Sequence, residues 1–268
     1  MLAVVFSALP RAAFAKPSIL ISPNRIVLDQ KDRKATLYVS NNGDEKANYR
    51  IEFVRKRMTE DGRYEDVKEG DVLPGELWAD DYLRVSPRSF TLGVGEGQIV
   101  RVHFRRKKGM PEGEYRAHLR GYIVPDPPAP DVGLEAEGKV SISVTVNFGM
   151  AIPVIARQGD LDYSVTVDDI DISKDEEGKY ILKTKFLREG NRSAYGDISV
   201  VFTDDSGKEH LLKFLGGLSV FSPYKARIFT IPLDVPDGLT LKNGSVKVTY
   251  REKKKEGGKV IAEKSKQI

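Results

Sequence analysis

Cysteine is absent from this chain of 268 residues, and histidine occurs only 3 times. Without cysteine the fold has no disulfide and no thiolate chemistry, although many exported bacterial proteins also lack disulfides, so the compartment stays open. His103, His118 and His210 are scattered, and no two have the spacing of a metal-binding pair. The sequence therefore predicts no metal site.

Motifs of catalysis are also missing. The sequence has no G-x-S-x-G and no phosphate-binding loop. The glycine-rich stretch Gly93–Gly97 lies between predicted strands and opens no helix, which favours a turn over a nucleotide site. The acidic run Asp168–Asp171 lacks the glycine and the closing glutamate of a calcium loop, so a strand edge is the better interpretation. We expect neither enzyme activity nor a cofactor.

No charge of one sign dominates the chain. Its 43 basic residues are interleaved with 39 acidic residues, for a net charge of +4. That balance describes a mildly basic surface and predicts no nucleic-acid partner. The hydrophobic share of 40% and charged share of 31% are typical of a globular protein, and the length allows two ordinary domains.

The first 15 residues are apolar and end in Ala13-Phe14-Ala15. This pattern fits a signal peptide over residues 1–15, cleaved before Lys16, although the usual positive n-region is absent. The apolar run is far too short to span a bilayer. The alternative is an apolar first strand. We expect an exported protein.

Nearly every other segment reads as a short strand, and no helical period of any length is present. Such strands at regular spacing predict an all-β sandwich. The stretch Arg157–Asp160 interrupts the pattern, which then restarts, so we expect two domains at residues 16–157 and 158–268. The predicted strands are 18–29, 35–41, 48–57, 82–92, 98–104, 114–124, 163–172, 180–187, 197–203, 211–214, 226–232 and 245–251. Residues 64–78 are expected to form a loop or edge hairpin, and the tail after residue 252 a last hairpin or a frayed end.

One long strand begins at Val140. Its apolar residues alternate with small or polar residues as far as Ile152. Successive side chains of a strand point to opposite faces, so this stretch has one continuous apolar face. Such a strand either closes the core of its own sandwich or supplies its apolar row to another protein. The residues alone leave both possibilities open.

Five fragments of the first half, taken in order, resemble the periplasmic chaperones of the chaperone–usher pathway of pilus assembly. The resemblance is to a divergent branch of that family. Each fragment alone is a weak match, and the ordered set is specific. The fragments are Ile21-Ser-Pro-Asn-Arg25-Ile-Val-Leu28, Thr36-Leu-Tyr-Val-Ser40-Asn41, Ser86-Pro87-Arg88, Gly95-Glu-Gly97-Gln98-Ile-Val-Arg101-Val102 and Pro111-Glu-Gly113-Glu114-Tyr115-Arg116.

The resemblance implies two immunoglobulin-like β-sandwich domains arranged as a boomerang, in the periplasm of a Gram-negative bacterium. It implies that the last strand of domain one completes the fold of a pilus subunit, by donor-strand complementation, before the subunit passes to an outer-membrane usher. The donor row, as we call the residues with that role, is Val140, Ile142, Val144, Val146 and Phe148.

The resemblance also implies an anchor for the C-terminal carboxylate of the subunit. Arg25 matches the family's arginine, and a solvated strand arginine is the alternative interpretation. The family's lysine on the donor strand has no counterpart, because no lysine lies between Val140 and Arg157. The alignment places Pro153 or a neighbour there. Either another cation substitutes, with Arg116 as a candidate, or the carboxylate is held differently.

Glu114 and Arg157 match an interdomain ion pair that fixes the angle between the domains in the family. A third, acidic member from domain two cannot be chosen from the sequence.

The bond Ser86–Pro87 matches a proline loop that contacts the usher in relatives, and a cis bond is compatible with it. The resemblance also leaves room for self-association of free chaperone through its exposed strand edge. The rival hypothesis is an exported structural or adhesive β-sandwich protein without chaperone activity.

Overall fold

The computed structural model describes residues 18–68, 70–125, 149–254 and 257–268. Over these ranges the chain forms mainly strands, with a short 3-10 helix at Asp80–Tyr82. It is an all-β protein, which confirms the fold class predicted from the short alternating segments.

The first half of the chain forms two sheets that pack face to face. Their strand orders are β1-β3-β9-β7 and β2-β11-β10-β4-β8, with β5 and β6 as a separate hairpin. Side chains from the two sheets, such as Val100 and Leu119, meet in one buried core, which makes this half a sandwich. The strands are β1 (Leu20–Ser22), β2 (Ile26–Leu28), β3 (Lys34–Ser40), β4 (Ala47–Val54), β5 (Lys56–Met58), β6 (Tyr64–Asp66), β7 (Leu83–Ser86), β8 (Ser89–Leu92), β9 (Gly97–Phe104), β10 (Gly113–Val124) and β11 (Gly149–Gln158).

The second half repeats this architecture with fewer strands. Its sheets have the orders β12-β13-β16 and β15-β14-β17-β18. Phe186 of one sheet packs in a common core with Val200 and Tyr250 of the other. The predicted pair of immunoglobulin-like sandwiches is thereby confirmed. The strands are β12 (Tyr163–Lys174), β13 (Tyr180–Gly190), β14 (Ala194–Thr203), β15 (Glu209–Val220), β16 (Ala226–Pro232), β17 (Ser245–Glu252) and β18 (Val260–Gln267).

The two sandwiches meet at the short connection after β11. Among the described residues, each sheet takes all of its strands from one side of this connection. Gly159 has φ +84°, a left-handed conformation that glycine adopts without strain. The exact domain boundary at 157/158 and the boomerang shape stay predictions.

Two predicted strands are each divided by a proline. The segment 18–29 forms β1 in one sheet and β2 in the other, with Pro23 between them. The segment 82–92 is divided in the same way at Pro87 into β7 and β8. Proline has no N–H to donate to a strand ladder, so pairing stops there and the chain changes sheets.

The tail forms a hairpin instead of a frayed end. Strand β18 pairs antiparallel with β17 along its whole length, from Ser245 opposite Gln267 to Arg251 opposite Val260. It also covers one edge of the second sandwich, which leaves fewer unpaired backbone groups exposed.

The long alternating strand is described only at its end. Its last residues, Gly149–Ile152, belong to β11, in which Ile152, Val154 and Ala156 are buried in the first core. The donor row (Val140, Ile142, Val144, Val146 and Phe148) lies outside the described residues, as does the expected signal peptide.

Candidate functional site

A cleft of about 250 Å³ opens where the two sandwiches meet. The described residues around it include two arginines and no aspartate or glutamate. We call it the arginine cleft, and it is well suited to an anion. The first sandwich contributes Arg25, Tyr64 and Pro153, and the second contributes Tyr195, Ser219 and Arg227.

Arg25 follows β1 and reaches the second sandwich. Its Nη1 donates a hydrogen bond to the Ser219 hydroxyl at 3.2 Å. Its guanidinium carbon lies 4.0 Å from the centre of the Tyr195 ring, a cation–π contact. Arg25 is half-buried in this position, which differs from the solvated strand arginine of the alternative interpretation.

Arg227, on β16, is the second cation of the cleft. It donates a hydrogen bond from Nη1 to the Ser219 carbonyl and stacks on Phe229, with 4.4 Å between the guanidinium carbon and the ring centre. Burial lowers the pKa of Arg227 from its ordinary value. Nothing in the sequence pattern of β16 distinguishes Arg227 from other basic residues on strands, so the sequence alone did not indicate it.

Pro153 lines the arginine cleft at the position where the family resemblance places a lysine. Among the described residues that line the cleft, none is a lysine. The register of β10 and β11 puts Pro153 opposite His118. The strand therefore presents an apolar ring to the cleft where a cation was expected.

Arg116 does not line the arginine cleft, so it is a poor candidate for the missing cation. It is 4% exposed and lies in a neighbouring cluster between the sandwiches. Its Nη1 donates to the carbonyl of Ser222 at 3.3 Å, and its Nη2 to the hydroxyl of Tyr224 at 3.1 Å. The guanidinium carbon also lies 4.5 Å from the centre of the Phe221 ring. Because these contacts point Arg116 at the second sandwich, its charge serves the contact between the sandwiches.

The same cluster extends to a buried carboxylate. Tyr224 donates a hydrogen bond from its hydroxyl to Glu76 Oε1 at 2.7 Å, and Arg57 Nε donates to the same oxygen at 2.7 Å. Burial opposes ionisation of Glu76, yet hydrogen bonds from Arg57, the Leu73 amide and Tyr224 lower its pKa overall. Burial, together with the bond to Glu76, raises the pKa of Tyr224 to about 12.

Glu114 and Arg157 form an ion pair across β10 and β11. Arg157 Nε lies 3.0 Å from Glu114 Oε2, and the side chains are 17% and 2% exposed, respectively. The other oxygen of Glu114 accepts hydrogen bonds from the amide (3.2 Å) and the hydroxyl of Ser193. Ser193 in turn accepts a bond from the Ser222 amide at 2.9 Å. The contact from the second sandwich is thus a buried serine, where a third acidic residue was anticipated.

The hairpin of β5 and β6 reaches across to the second sandwich. Its turn residue Glu60 accepts a backbone hydrogen bond from Ile228 at 2.7 Å and pairs through its side chain with Lys185 at 2.9 Å. Gly62 lies so close to Arg227 that a Cβ there would be 2.6 Å from Nη2. Tyr64 forms one wall of the arginine cleft. The hairpin therefore ties the sandwiches together and encloses the second arginine.

The remaining candidates of the sequence analysis lie apart from the cleft's cations. His103 is on the outer face of β9, and His210 contacts Asp204 at 3.0 Å. His118 is 3% exposed, with its ring edge against Tyr64. Over the described ranges no three histidine, aspartate or glutamate side chains are grouped as metal ligands. The Asp168–Asp171 run lies on the edge strand β12 beside Lys183 and Lys185.

The bond Ser86–Pro87 is cis, at the point where β7 ends. No helix in the described part of the chain is long and apolar enough to cross a membrane.

The geometry defines a protein of two β-sandwiches with a basic cleft between them. No protein-family model matches the sequence, and no curated protein sequence matches it. Solved structures of similar fold include the YadV chaperone, 14% identical with a TM-score of 0.45 over 94% of this chain and 100% of that one. The E. coli chaperone DraB is 15% identical, with a TM-score of 0.41 over 94% and 98% of the chains. A chain of the complex between the Salmonella enterica SafA pilin and the SafB chaperone is 13% identical, with a TM-score of 0.42 over 94% and 96%. At these identities the likeness concerns the fold alone.

Proposed function

We propose that this protein is a periplasmic chaperone of a Gram-negative bacterium, which binds fimbrial subunits by donor-strand complementation and delivers them to an outer-membrane usher. The observation that carries the proposal is the phase of the alternating strand. The donor row occupies even-numbered positions, and the even-numbered Ile152, Val154 and Ala156 of β11 are buried in the first core. The apolar alternation that the sequence shows from Val140 to Phe148 is thus in phase with the buried residues of β11.

The physical case rests on what an incomplete subunit lacks. A sandwich missing a strand exposes an apolar groove and unpaired backbone groups, both of which promote aggregation. A donor strand supplies the ladder hydrogen bonds, and its alternate side chains replace the missing core. At ~25 cal/mol per Å² of apolar surface, burial of the donor row contributes several kcal/mol before association costs.

The arginine cleft supports a role for Arg25 as the anchor of the subunit's C-terminal carboxylate. A guanidinium binds a carboxylate with charge-assisted, bidentate hydrogen bonds. Arg25 already lies in a cleft between the sandwiches, held by Ser219 and Tyr195. In this proposal the anchor sets the register in which the subunit meets the donor row.

The ion pair of Glu114 and Arg157 is proposed to hold the two sandwiches at a fixed angle. Glu114 is nearly fully buried, paired with Arg157 of its own sandwich and bonded to Ser193 of the second, so a change of angle would break the bonds between its carboxylate and Ser193. The loop at Ser86–Pro87 is proposed to contact the usher.

The mechanism requires no catalytic step, because the extension of the next subunit can displace the donor strand. Without a client, the exposed strand favours self-association.

Co-purification from the native periplasm tests the proposal. We expect the tagged protein to bring down a small β-protein in stoichiometric amount, identified by mass spectrometry. Val144→Asp places a charge in the donor row and should abolish the capture, because a buried unpaired carboxylate costs several kcal/mol. Thr145→Asp changes the opposite face by the same substitution and should retain it. Both variants should keep the circular dichroism spectrum of the parent protein.

The rival function is that of an exported structural or adhesive sandwich protein, which would use the whole strand for its own core. In that case Val144→Asp would unfold the first sandwich, and the parent protein would purify without a partner from cells that make surface fibres. That pair of results would contradict the chaperone proposal.

A further inference from the structure

Both arginines of the cleft are held by one residue of the second sandwich. Arg25 donates to the hydroxyl of Ser219, and Arg227 donates to its carbonyl. Ser219 is 6% exposed and lies on β15, close to its end. Two guanidinium groups, one from each sandwich, therefore bond to the same residue.

Aromatic stacking limits the motion of both groups. Arg25 lies against Tyr195 at 4.0 Å and Arg227 against Phe229 at 4.4 Å, measured from the guanidinium carbon to the ring centre. Gly62 of the hairpin packs on the Arg227 guanidinium. An arginine that is already ordered loses less conformational entropy when it binds an anion.

The described walls of the cleft do not neutralise the charge of the pair. Of the residues that the structure places around it, none is aspartate or glutamate. In the described part of the chain, no salt bridge within 4.0 Å involves Arg227, and its buried Nε has no hydrogen-bond partner. Two cations in a partly enclosed space repel each other unless an anion joins them, so the site favours a negatively charged ligand.

We infer that Arg227 is the second cation of a carboxylate site, so that the ligand is held by one arginine from each sandwich. This inference rests on the proposed function for the identity of the ligand as the C-terminus of a subunit. The ligand must be a small oxyanion, and we expect it to be a terminal carboxylate. Arg227 thereby takes the role for which the donor strand has no lysine.

The arrangement has a consequence for the second sandwich. A site made of Arg25 and Arg227 exists only when the two sandwiches are in contact, and the hairpin of β5 and β6 holds that contact beside Arg227. Bound carboxylate would strengthen the contact in return, because anything that binds only the joined form stabilises it.

The first test follows the arginine Nε–Hε signals of the full chain by NMR during titration with N-acetyl-Gly-Ser-Gly. We expect the signals of Arg25 and Arg227 to shift saturably with one common dissociation constant, and the amidated peptide to have no effect. Arg84 and Arg101, on the outer face of the first sandwich, serve as internal controls and should not move. A saturable shift of Arg25 with Arg227 unchanged would overturn the inference, as would no saturable shift of either.

Variants give an independent reading. Arg227→Gln should weaken binding of the free-carboxylate peptide about tenfold or more, comparable with Arg25→Gln, since each loses one charge-assisted contact. Arg84→Gln should leave binding unchanged. Arg227→Lys keeps the charge and should retain part of the affinity. Retained binding would show that Arg227→Gln weakens binding by removing the charge and not by altering the packing. Equal affinity of Arg227→Gln and the parent protein would contradict the inference.

Client capture separates this inference from the proposed function. If the parent protein captures a subunit and Arg227→Gln captures it equally well, the result supports the chaperone function and contradicts the role of Arg227 in binding. If the signals of both arginines shift in the peptide titration while no subunit is captured from the periplasm, the result supports the two-arginine anion site and contradicts the chaperone function.

Discussion

At the scale of single residues, the contact between the sandwiches depends on polar groups that are almost fully buried. Glu114 is the clearest case, since one carboxylate oxygen serves Arg157 and the other serves Ser193. Removing one partner of a buried pair leaves the other charge uncompensated, which costs more than the pair contributes in net stability. Such residues affect stability and domain orientation together.

Glu114→Gln tests this directly. We expect the free energy of unfolding, measured by urea titration, to fall by about 3 kcal/mol, because Arg157 loses its partner in a largely buried position. Small-angle scattering should show a wider distribution of interdomain distances. Glu52→Gln is the matched control. Its partner is Arg120, across β10 and β4, and both side chains are partly exposed. A loss under ~1 kcal/mol is expected there, and equal losses in the two variants would refute the assignment.

His118 is a second residue whose burial has a measurable result. Burial, with help from the nearby Arg116 and Lys56, lowers its pKa to about 3, against the opposing effect of Asp66. The fold therefore holds His118 neutral, whereas the unfolded chain protonates it below about pH 6.5. Its contribution to stability is complete above that pH and is lost as the pH falls from 6.5 towards 3.

We expect the free energy of unfolding of the parent protein to fall between pH 7 and pH 5. Protonation of His118 in the unfolded chain should account for about 2 kcal/mol of this fall. His118→Leu should remove this part of the pH dependence, whatever its effect on stability at pH 7. Leu119→Ala removes a neighbouring core side chain without removing a titratable group, and should keep the slope of the parent. The assignment fails if the slope of His118→Leu matches that of the parent protein.

At the scale of secondary-structure elements, the hairpin of β5 and β6 has the most specific role. Its turn contacts β16 through the backbone of Glu60, and Gly62 packs on Arg227. Gly62 also has φ +87°, where a side chain is strained. The position needs glycine for its backbone and for the close approach.

Gly62→Ala should destabilise the protein by roughly 2 kcal/mol, from the left-handed backbone together with the clash against Arg227. The matched control is Gly70→Ala, because Gly70 has the same φ of +87° but no atom within 4 Å of an added Cβ. We expect about 1 kcal/mol there. Urea unfolding measures both, and equal losses would show that the contact with Arg227 contributes nothing.

The sequence indicated most of the elements and few of the contacts between them. Alternation of apolar residues predicts the strands but not the breaks at Pro23 and Pro87, where the missing N–H of proline ends the pairing. Arg25, Glu114 and Arg157 came from a resemblance in short motifs. Ser193 and Arg227 carry no local signal, because their roles arise only when the second sandwich packs on the first.

At the scale of the whole molecule, the two sandwiches are joined by a buried apolar cluster of Met58, Ile155 and Phe221 and by polar contacts, some of which form the arginine cleft. Arg116, Glu114 and the hairpin of β5 and β6 each bond to the second sandwich, and Arg25 and Arg227 meet on Ser219. In the proposed function, the cleft binds the end of a client chain and the donor row supplies its missing strand. Because both belong to one molecule, binding at one would raise the effective concentration of the client at the other.

The most direct measurement is site-specific photocrosslinking in the periplasm, with a photoreactive phenylalanine analogue placed in turn at positions 142 to 146. We expect strong crosslinks to one small protein from Ile142, Val144 and Val146, and weak or no crosslinks from Ser143 and Thr145, because successive side chains face opposite sides. Crosslinks from the even positions to the protein's own first sandwich, with no partner at any position, would contradict the chaperone proposal.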